Sequence, residues 1–249
     1  MNATEIQEGL EILKDKDRSW WHIIELADGI STPGMYPSIK EKASYWKLDK
    51  IDFTGKSVLD IGAGDGGFSF YAEAQGASDI TSIDLWGAKD GGMKPGEDIL
   101  LSSTLDAQWG NKECFEFAAK ALKSKAKTHI MNVYDVSPEK LKKFDIVMFF
   151  GVLYHLRHPM LALEKIRTVV KDNATLLIET LISPPPFMAS GGECFMQFFP
   201  GGLNGDPTTF CSPTKECLVH FLNSAGFAVN KIIIPQKESN RAFCVCSAI

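Results

Sequence analysis

Residues 58–67 read VLDIGAGDGG, and SIDL follows at 82–85. An apolar run ends in Asp60, glycines follow at 62, 64, 66 and 67, and a second apolar run ends in Asp84. Gly62 permits a tight turn at a strand end. Gly64 removes a side chain where a ligand can lie against the backbone. Gly66 or Gly67 lets a helix start close behind. The spacing of Gly62, Gly64 and Gly67 also satisfies the dinucleotide pattern G-x-G-x-x-G. The acids separate the two cases. Asp60 would repel a diphosphate but suits the ammonium of a methionine. Asp84 stands where a carboxylate accepts both ribose hydroxyls. The pattern therefore points to S-adenosylmethionine and to methyl transfer.

Other polar residues fall at the ends of predicted strands. Asp135, beyond a strand over 129–133, can meet an adenine amino group or cap a helix ahead of VSPEK. Ile61, Leu85 and Val136 can touch a purine or serve as core. The fourth strand runs into GVLYHLRHP at 151–159, which places Tyr154 and His155 at a carboxyl end, where α/β sheets bind ligands. His155 can take an acceptor's proton, or it can pack the site. His158, before Pro159, reads as a helix cap. Glu179 ends LLIETL and can bind an acceptor or hold a loop. His129 and His220 are expected to pack within a strand and a helix. The six cysteines are scattered and read as reduced thiols, with no metal site expected.

These residues need a scaffold. The chain has 249 residues, 45% of them hydrophobic, enough for one α/β core. Its formal charge of -5 disfavours non-specific nucleic-acid binding, and KALKSKAK and KLKK read as solvated helix faces. No secretory signal or membrane-length apolar run is visible, which implies a cytoplasmic protein with no membrane contact.

Residues 1–50 are expected to form a helical, aromatic cap. EIQEGLEILKD reads as a helix. Trp20–Pro37 reads as a flap, because Pro33-Gly34 and Pro37 forbid a long helix, and Trp21 and His22 become candidate substrate contacts. Residues 51–249 form the cofactor-binding domain. Strands are expected at 58–61, 80–83, 129–133, 144–150, 176–179, 229–234 and 242–247. Helices are expected at 67–75, 113–124, 159–170 and from Ser212-Pro213 to Ser224, with Gly226 closing the last. Long site-proximal loops fill 86–110 and 181–211. The result is a seven-stranded, mostly parallel α/β sheet of Rossmann-like type with an antiparallel C-terminal hairpin.

VLDIGAGDGGFSF, FDIVMFFGVLYHLRHPMLALEKI, LLIETL and FFPGGLNGDPTTFCSPTKECLVHFLNSAGF, with the N-terminal WWHIIELADGISTPG, resemble the class I methyltransferases related to the tRNA wobble-uridine methyl- and carboxymethyltransferases. The GVLYH segment combined with the NGDPT loop is the specific part. The resemblance implies a donor held by Asp60, Gly62, Gly64 and Asp84, with Tyr154 and His155 lining the reaction site. In the carboxymethyl branch a tyrosine, an arginine and an upstream lysine hold the donor's extra carboxylate. Tyr154 matches the tyrosine and Arg241 the arginine. That branch carries the lysine on an N-terminal extension that helps hold tRNA, and this sequence is expected to be a short form without it. The resemblance therefore points to shorter relatives that modify small molecules. The expected acceptor is a small-molecule oxygen; nitrogen or carbon acceptors and a tRNA wobble uridine are the alternatives.

Overall fold

Asn2 accepts the Glu5 N–H at 2.9 Å and Glu5 accepts the Asn2 N–H at 2.7 Å. This capping box starts helix α1, Ala3–Asp15. The computed structural model describes residues 1–16, 20–86, 112–184, 194–206, 208–236 and 240–249. The expected 86–110 loop therefore lies, beyond Trp86, outside the described residues. The chain divides into two compact units, Met1–Met131 and Asn132–Ile249.

In the first unit a short hairpin follows α1, with β1 (Glu25–Ala27) antiparallel to β2 (Ile30–Ser31). Ser38 then caps α2, Ile39–Trp46, by accepting the Glu41 N–H. The hairpin lies within the expected Trp20–Pro37 flap, and α2 follows that segment. Strand β3 (Ser57–Ile61) is buried at every position. It leads through the glycine turn to α3 (Gly67–Ala74) and to β4 (Asp79–Asp84). Helix α4 (Lys112–Leu122) precedes β5 (Lys127–Ile130). β3, β4 and β5 pair in parallel. Strand β5 ends earlier than expected. Asn132 accepts the Tyr134 N–H with its side chain and diverts residues 133–135 into a 3-10 turn.

In the second unit β6 (Phe144–Phe150) pairs in parallel with β7 (Val170–Leu181), joined by α5 (Pro159–Thr168) with Pro159 at its first turn. β7 starts six residues before the expected 176, and three of those six residues are exposed. Helix α6 (Lys215–Ser224) leads to β10 (Phe227–Ile233) and β11 (Arg241–Ala248), an antiparallel pair. Gly226, with φ of 86°, follows the last helical turn as expected. The seven central strands form one sheet in the order β10-β11-β7-β6-β3-β4-β5, with β7-β11-β10 antiparallel. This is the expected Rossmann-like arrangement.

The described part of 181–211 is more regular than expected. Met196–Phe198 (β8) pairs antiparallel with Cys211–Pro213 (β9). Ser212 and Pro213 are therefore strand residues, not the start of α6. The cap is Thr214, which accepts the Cys217 N–H. His129 and His220 lie on β5 and α6 but are exposed, so packing does not explain them. Among the described residues, no helix is long and apolar enough to cross a membrane.

The N-terminal hairpin depends on Gly34. A Cβ there would lie 2.1 Å from the His22 carbonyl carbon and 2.3 Å from the Ile23 nitrogen. Backbone cannot yield as a side chain can. Gly34→Ala should cost about 1–3 kcal/mol in denaturant unfolding. Unchanged stability would show that the two segments separate freely.

Candidate active site

The glycine turn is built on bonds between strand ends. The Gly62 and Ala63 N–H groups donate to the Ile83 carbonyl at 2.9 and 3.2 Å. The Gly64 N–H donates to Asp84 Oδ2 at 2.7 Å, and the Gly64 carbonyl accepts the Trp86 Nε1–H at 2.7 Å. Asp84 Oδ1 accepts the Leu85 N–H at 2.6 Å. Gly62, Gly64 and Gly66 all have positive φ, at 77°, 57° and 88°. The loop is thus held from both sides before any ligand arrives.

The residues fit a nucleoside donor. Among the described residues, a Cβ at Gly64 would meet only Trp21 Cδ1, at 3.7 Å, so the glycine leaves a shelf beside an aromatic edge. Asp84 receives two backbone N–H bonds, and a carboxylate can accept about four, which leaves capacity for ribose hydroxyls. Burial pushes Asp84 up to about 6 despite those bonds. Burial likewise pushes Asp60 up to about 7, against the Ser69 hydroxyl that donates to it at 2.6 Å. A cation nearby would favour its charged form. That is the property expected of a carboxylate placed for an ammonium group.

Asp65, in the middle of the glycine turn, was not singled out from the sequence. It is fully buried, and Asp65 Oδ2 accepts the Trp21 and His22 N–H groups, each at 2.8 Å. His22 Nδ1 lies 2.6 Å from Asp65 Oδ1; a carboxylate only accepts, so this nitrogen carries the proton. Burial raises the Asp65 carboxyl, but His22 and the N–H bonds outweigh it and hold the group below the usual range. Nothing local marks Asp65: its partners are 43 and 44 residues away.

The second unit holds two polar clusters. In the first, Arg241 donates through Nε and Nη2 to both oxygens of Glu179, and through Nη2 to the Tyr154 hydroxyl at 3.1 Å. The guanidinium lies 4.9 Å from the Tyr154 ring centre. The register explains the meeting, because β11 pairs with β7 through Arg241–Leu181 and Phe243–Glu179. Glu179 was read as able to hold a loop or bind an acceptor; it holds Arg241.

In the second cluster, His155 is 7% exposed. Its Nδ1 lies 3.0 Å from both the carbonyl and the hydroxyl oxygen of Thr208. A carbonyl only accepts, so Nδ1 carries the proton and Nε2 the ring's lone pair. Burial pulls His155 down to about 4, against the Thr208 bond. It is neutral at pH 7 and a weak base. Asp206 arranges this contact, accepting the Thr208 N–H at 2.8 Å, its hydroxyl at 2.6 Å and the Thr209 hydroxyl at 3.1 Å. Leu203 and Asp206 exchange backbone bonds across Asn204-Gly205, both at positive φ. The NG turn in the NGDPT segment was the available signal.

The remaining predicted residues are placed as follows. Asp135 is exposed at the end of its 3-10 turn and pairs with Lys140 at 3.4 Å. Val136 is fully buried and Leu85 partly so. His158 occupies the first cap position of α5, but its side chain makes no cap bond; its N–H donates to the Tyr134 hydroxyl at 3.0 Å. Among the described residues, no group of three or more His, Cys, Asp or Glu could hold a metal ion.

A methyltransferase-domain family model matches residues 39–232. The tRNA U34 carboxymethyltransferase of Idiomarina loihiensis is 27% identical over 147 residues, 57% of this chain and 39% of that protein. That of Chromohalobacter salexigens is 24% identical over 200 residues, 78% of this chain and 52% of that protein. The chain thus spans two fifths to about half of the length of these relatives. The crystal structure of the N-terminal domain of EvdMO1 in the presence of SAH and D-fucose has a TM-score of 0.63 at 17% identity, covering 100% of this chain and 97% of that one. It is similar in fold.

If Asp206 and Thr208 set the imidazole, nitrogen-15 spectra of His155 should report the Nδ1–H tautomer. Asp206→Ala should shift those signals toward tautomer averaging and cost about 1–3 kcal/mol of stability. Unmoved signals would mean that the ring is held by packing alone.

Proposed function

This chain belongs to the methyltransferase-domain family, and on that premise we propose that it transfers a methyl group from S-adenosylmethionine to an oxygen of a small molecule. The observation that carries the donor assignment is the Gly64 N–H bound to Asp84 at 2.7 Å, with Gly64 open toward Trp21. Asp84 would take the ribose hydroxyls, and Asp60 would favour the ammonium end. Leu85, Val136 and Asp135 are the candidates for the adenine, Asp135 by exchanging its Lys140 partner for the amino group. Bound there, the donor supplies an electrophilic methyl on a sulfonium. Methyl transfer to a hydroxyl then needs alignment of the acceptor and an outlet for its proton.

Tyr154 and His155 are the proposed acceptor contacts. Nε2 of neutral His155 accepts a hydrogen bond from a hydroxyl and orients it. As the oxygen–methyl bond forms and the sulfonium–methyl bond breaks, the hydroxyl proton becomes strongly acidic, so even this weakly basic nitrogen can take it. Glu179 and Arg241 hold the Tyr154 hydroxyl in place. The same pair supports a plain methyl donor over a carboxylated one, because both Glu179 oxygens already accept from Arg241. A small acceptor is supported by the enclosure of His155, by the acidic balance of the chain and by the fold likeness to a domain solved with D-fucose. The second reading, a tRNA wobble uridine, rests on the curated relatives.

Labelled donor incubated with a metabolite extract and, separately, with bulk tRNA distinguishes the readings. Label should enter the small-molecule fraction; label in tRNA alone overturns the acceptor assignment. Asp84→Asn should weaken S-adenosylhomocysteine binding about tenfold or more, since charged hydrogen bonds contribute about 1.5–3 kcal/mol. Affinity equal to wild type would place the ribose elsewhere.

His155→Gln should lower turnover about a hundredfold with donor affinity retained. Protonation of His155 removes its acceptor nitrogen, so activity should fall as pH drops through its pKa. The acid limb of the wild-type profile should lie below pH 5, not near the free imidazole value of about 6.5. A loss under tenfold with an unchanged profile would reduce His155 to packing.

A further inference from the structure

The hydrogen bonds of Asp65 are directed away from the turn that contains it. Its neighbours Gly64 and Gly66 shape the turn, yet the bonds described for its carboxylate go to Trp21 and His22. The anchored segment is itself folded. The Tyr36 N–H donates to the Trp21 carbonyl at 2.9 Å, and the Met35 N–H to the Trp20 carbonyl at 3.2 Å. The Thr32 hydroxyl donates to the His22 carbonyl at 2.6 Å. The Trp21 and Tyr36 rings stack, 5.6 Å apart and 13° from parallel. Lys42 Nζ lies 4.8 Å from the centre of the Tyr36 ring. His22 abuts the start of α3, where a Cβ on Gly67 would meet the His22 Cβ at 3.2 Å.

We propose that Trp21 is a wall of the donor site, not an acceptor contact, and that Asp65 is the positioning residue that holds it there. This rests on the reading of the glycine turn as a nucleoside donor site. The polar groups of Gly64 are bound to Asp84 and Trp86, so a ligand on this turn meets the Gly64 Cα and the indole edge beside it. A nucleoside thioether seated on Gly64 therefore touches Trp21 only while segment 20–36 is docked. Undocking would leave a buried carboxylate without three N–H donors, which keeps the docked form dominant. Donor affinity is then linked to docking, and it falls in proportion to the docked fraction.

The test measures S-adenosylhomocysteine affinity of the full chain by calorimetry, for wild type, Asp65→Asn, Trp21→Ala and Trp21→Phe. Hydrogen exchange at Trp21, His22 and Tyr36 is followed with and without the ligand. Trp21→Ala should bind about tenfold more weakly, and Trp21→Phe within about threefold of wild type. Asp65→Asn should bind about tenfold more weakly. Its segment should exchange faster without ligand and recover protection on ligand saturation. A role confined to fold stability would not make that protection ligand-dependent. Trp21→Ala removes no bond of Asp65, so it remains informative if Asp65→Asn does not fold. Wild-type affinity in Trp21→Ala, or wild-type exchange in a folded Asp65→Asn, overturns the proposal and leaves the donor site standing. No binding by wild type overturns both.

Discussion

Three carboxylates crowd one glycine turn, and each must find hydrogen-bond donors or lose its charge. The protein solves this in three ways. Asp84 takes backbone N–H groups from Gly64 and Leu85, which ties the ends of β3 and β4 together. Asp65 reaches across the sequence to Trp21 and His22 and brings an N-terminal segment down on the turn. Asp60 has the Ser69 hydroxyl, which itself lies 2.8 Å from the Ser82 hydroxyl. Burial pushes it up to about 7, above Asp84 at about 6. The first two pairings build the loop, and the third leaves a group ready to respond to a cation.

The second unit follows a related rule with opposite charge. Arg241 sits at the start of β11 and would be a costly buried cation alone. Glu179, two positions from its register partner on β7, supplies both oxygens. Despite burial, Glu179 and Tyr154 hold Arg241 protonated more firmly than usual. The pair fixes the Tyr154 hydroxyl without presenting net charge. His155 is arranged by a different route, through Thr208, whose hydroxyl donates to the Asp206 carboxylate. Tyr154 is thus held by Arg241 and His155 by Thr208, each from a distant part of the chain.

Local chemistry explains where reading along the chain succeeded. Buried strands such as 58–61 and 144–150 are continuous apolar runs, and Pro159 opens α5 because a first-turn residue needs no N–H partner. Where two local signals competed, packing chose. Ser212-Pro213 is a plausible helix start, yet Ser212 is needed for pairing with Gln197, and the neighbouring Thr214 is an equally good cap. Asn132 shortened β5 by a bond too local to separate from strand propensity.

The sequence by itself determined the sheet class, the glycine turn and the two acids that flank it, because these depend on residue type at short, regular spacing. It also brought Tyr154, His155 and Glu179 forward, since residues at the carboxyl ends of strands face ligands in this architecture, and Arg241 through the family resemblance alone. Only the tertiary structure decided their roles. Glu179 meets Arg241 through a strand register 62 residues apart, and Asp65 meets His22 across 43. Thr208 sets the His155 tautomer from 53 residues away. A carboxylate's function is the identity of its donors, and when those arrive through folding, no spacing along the chain records them.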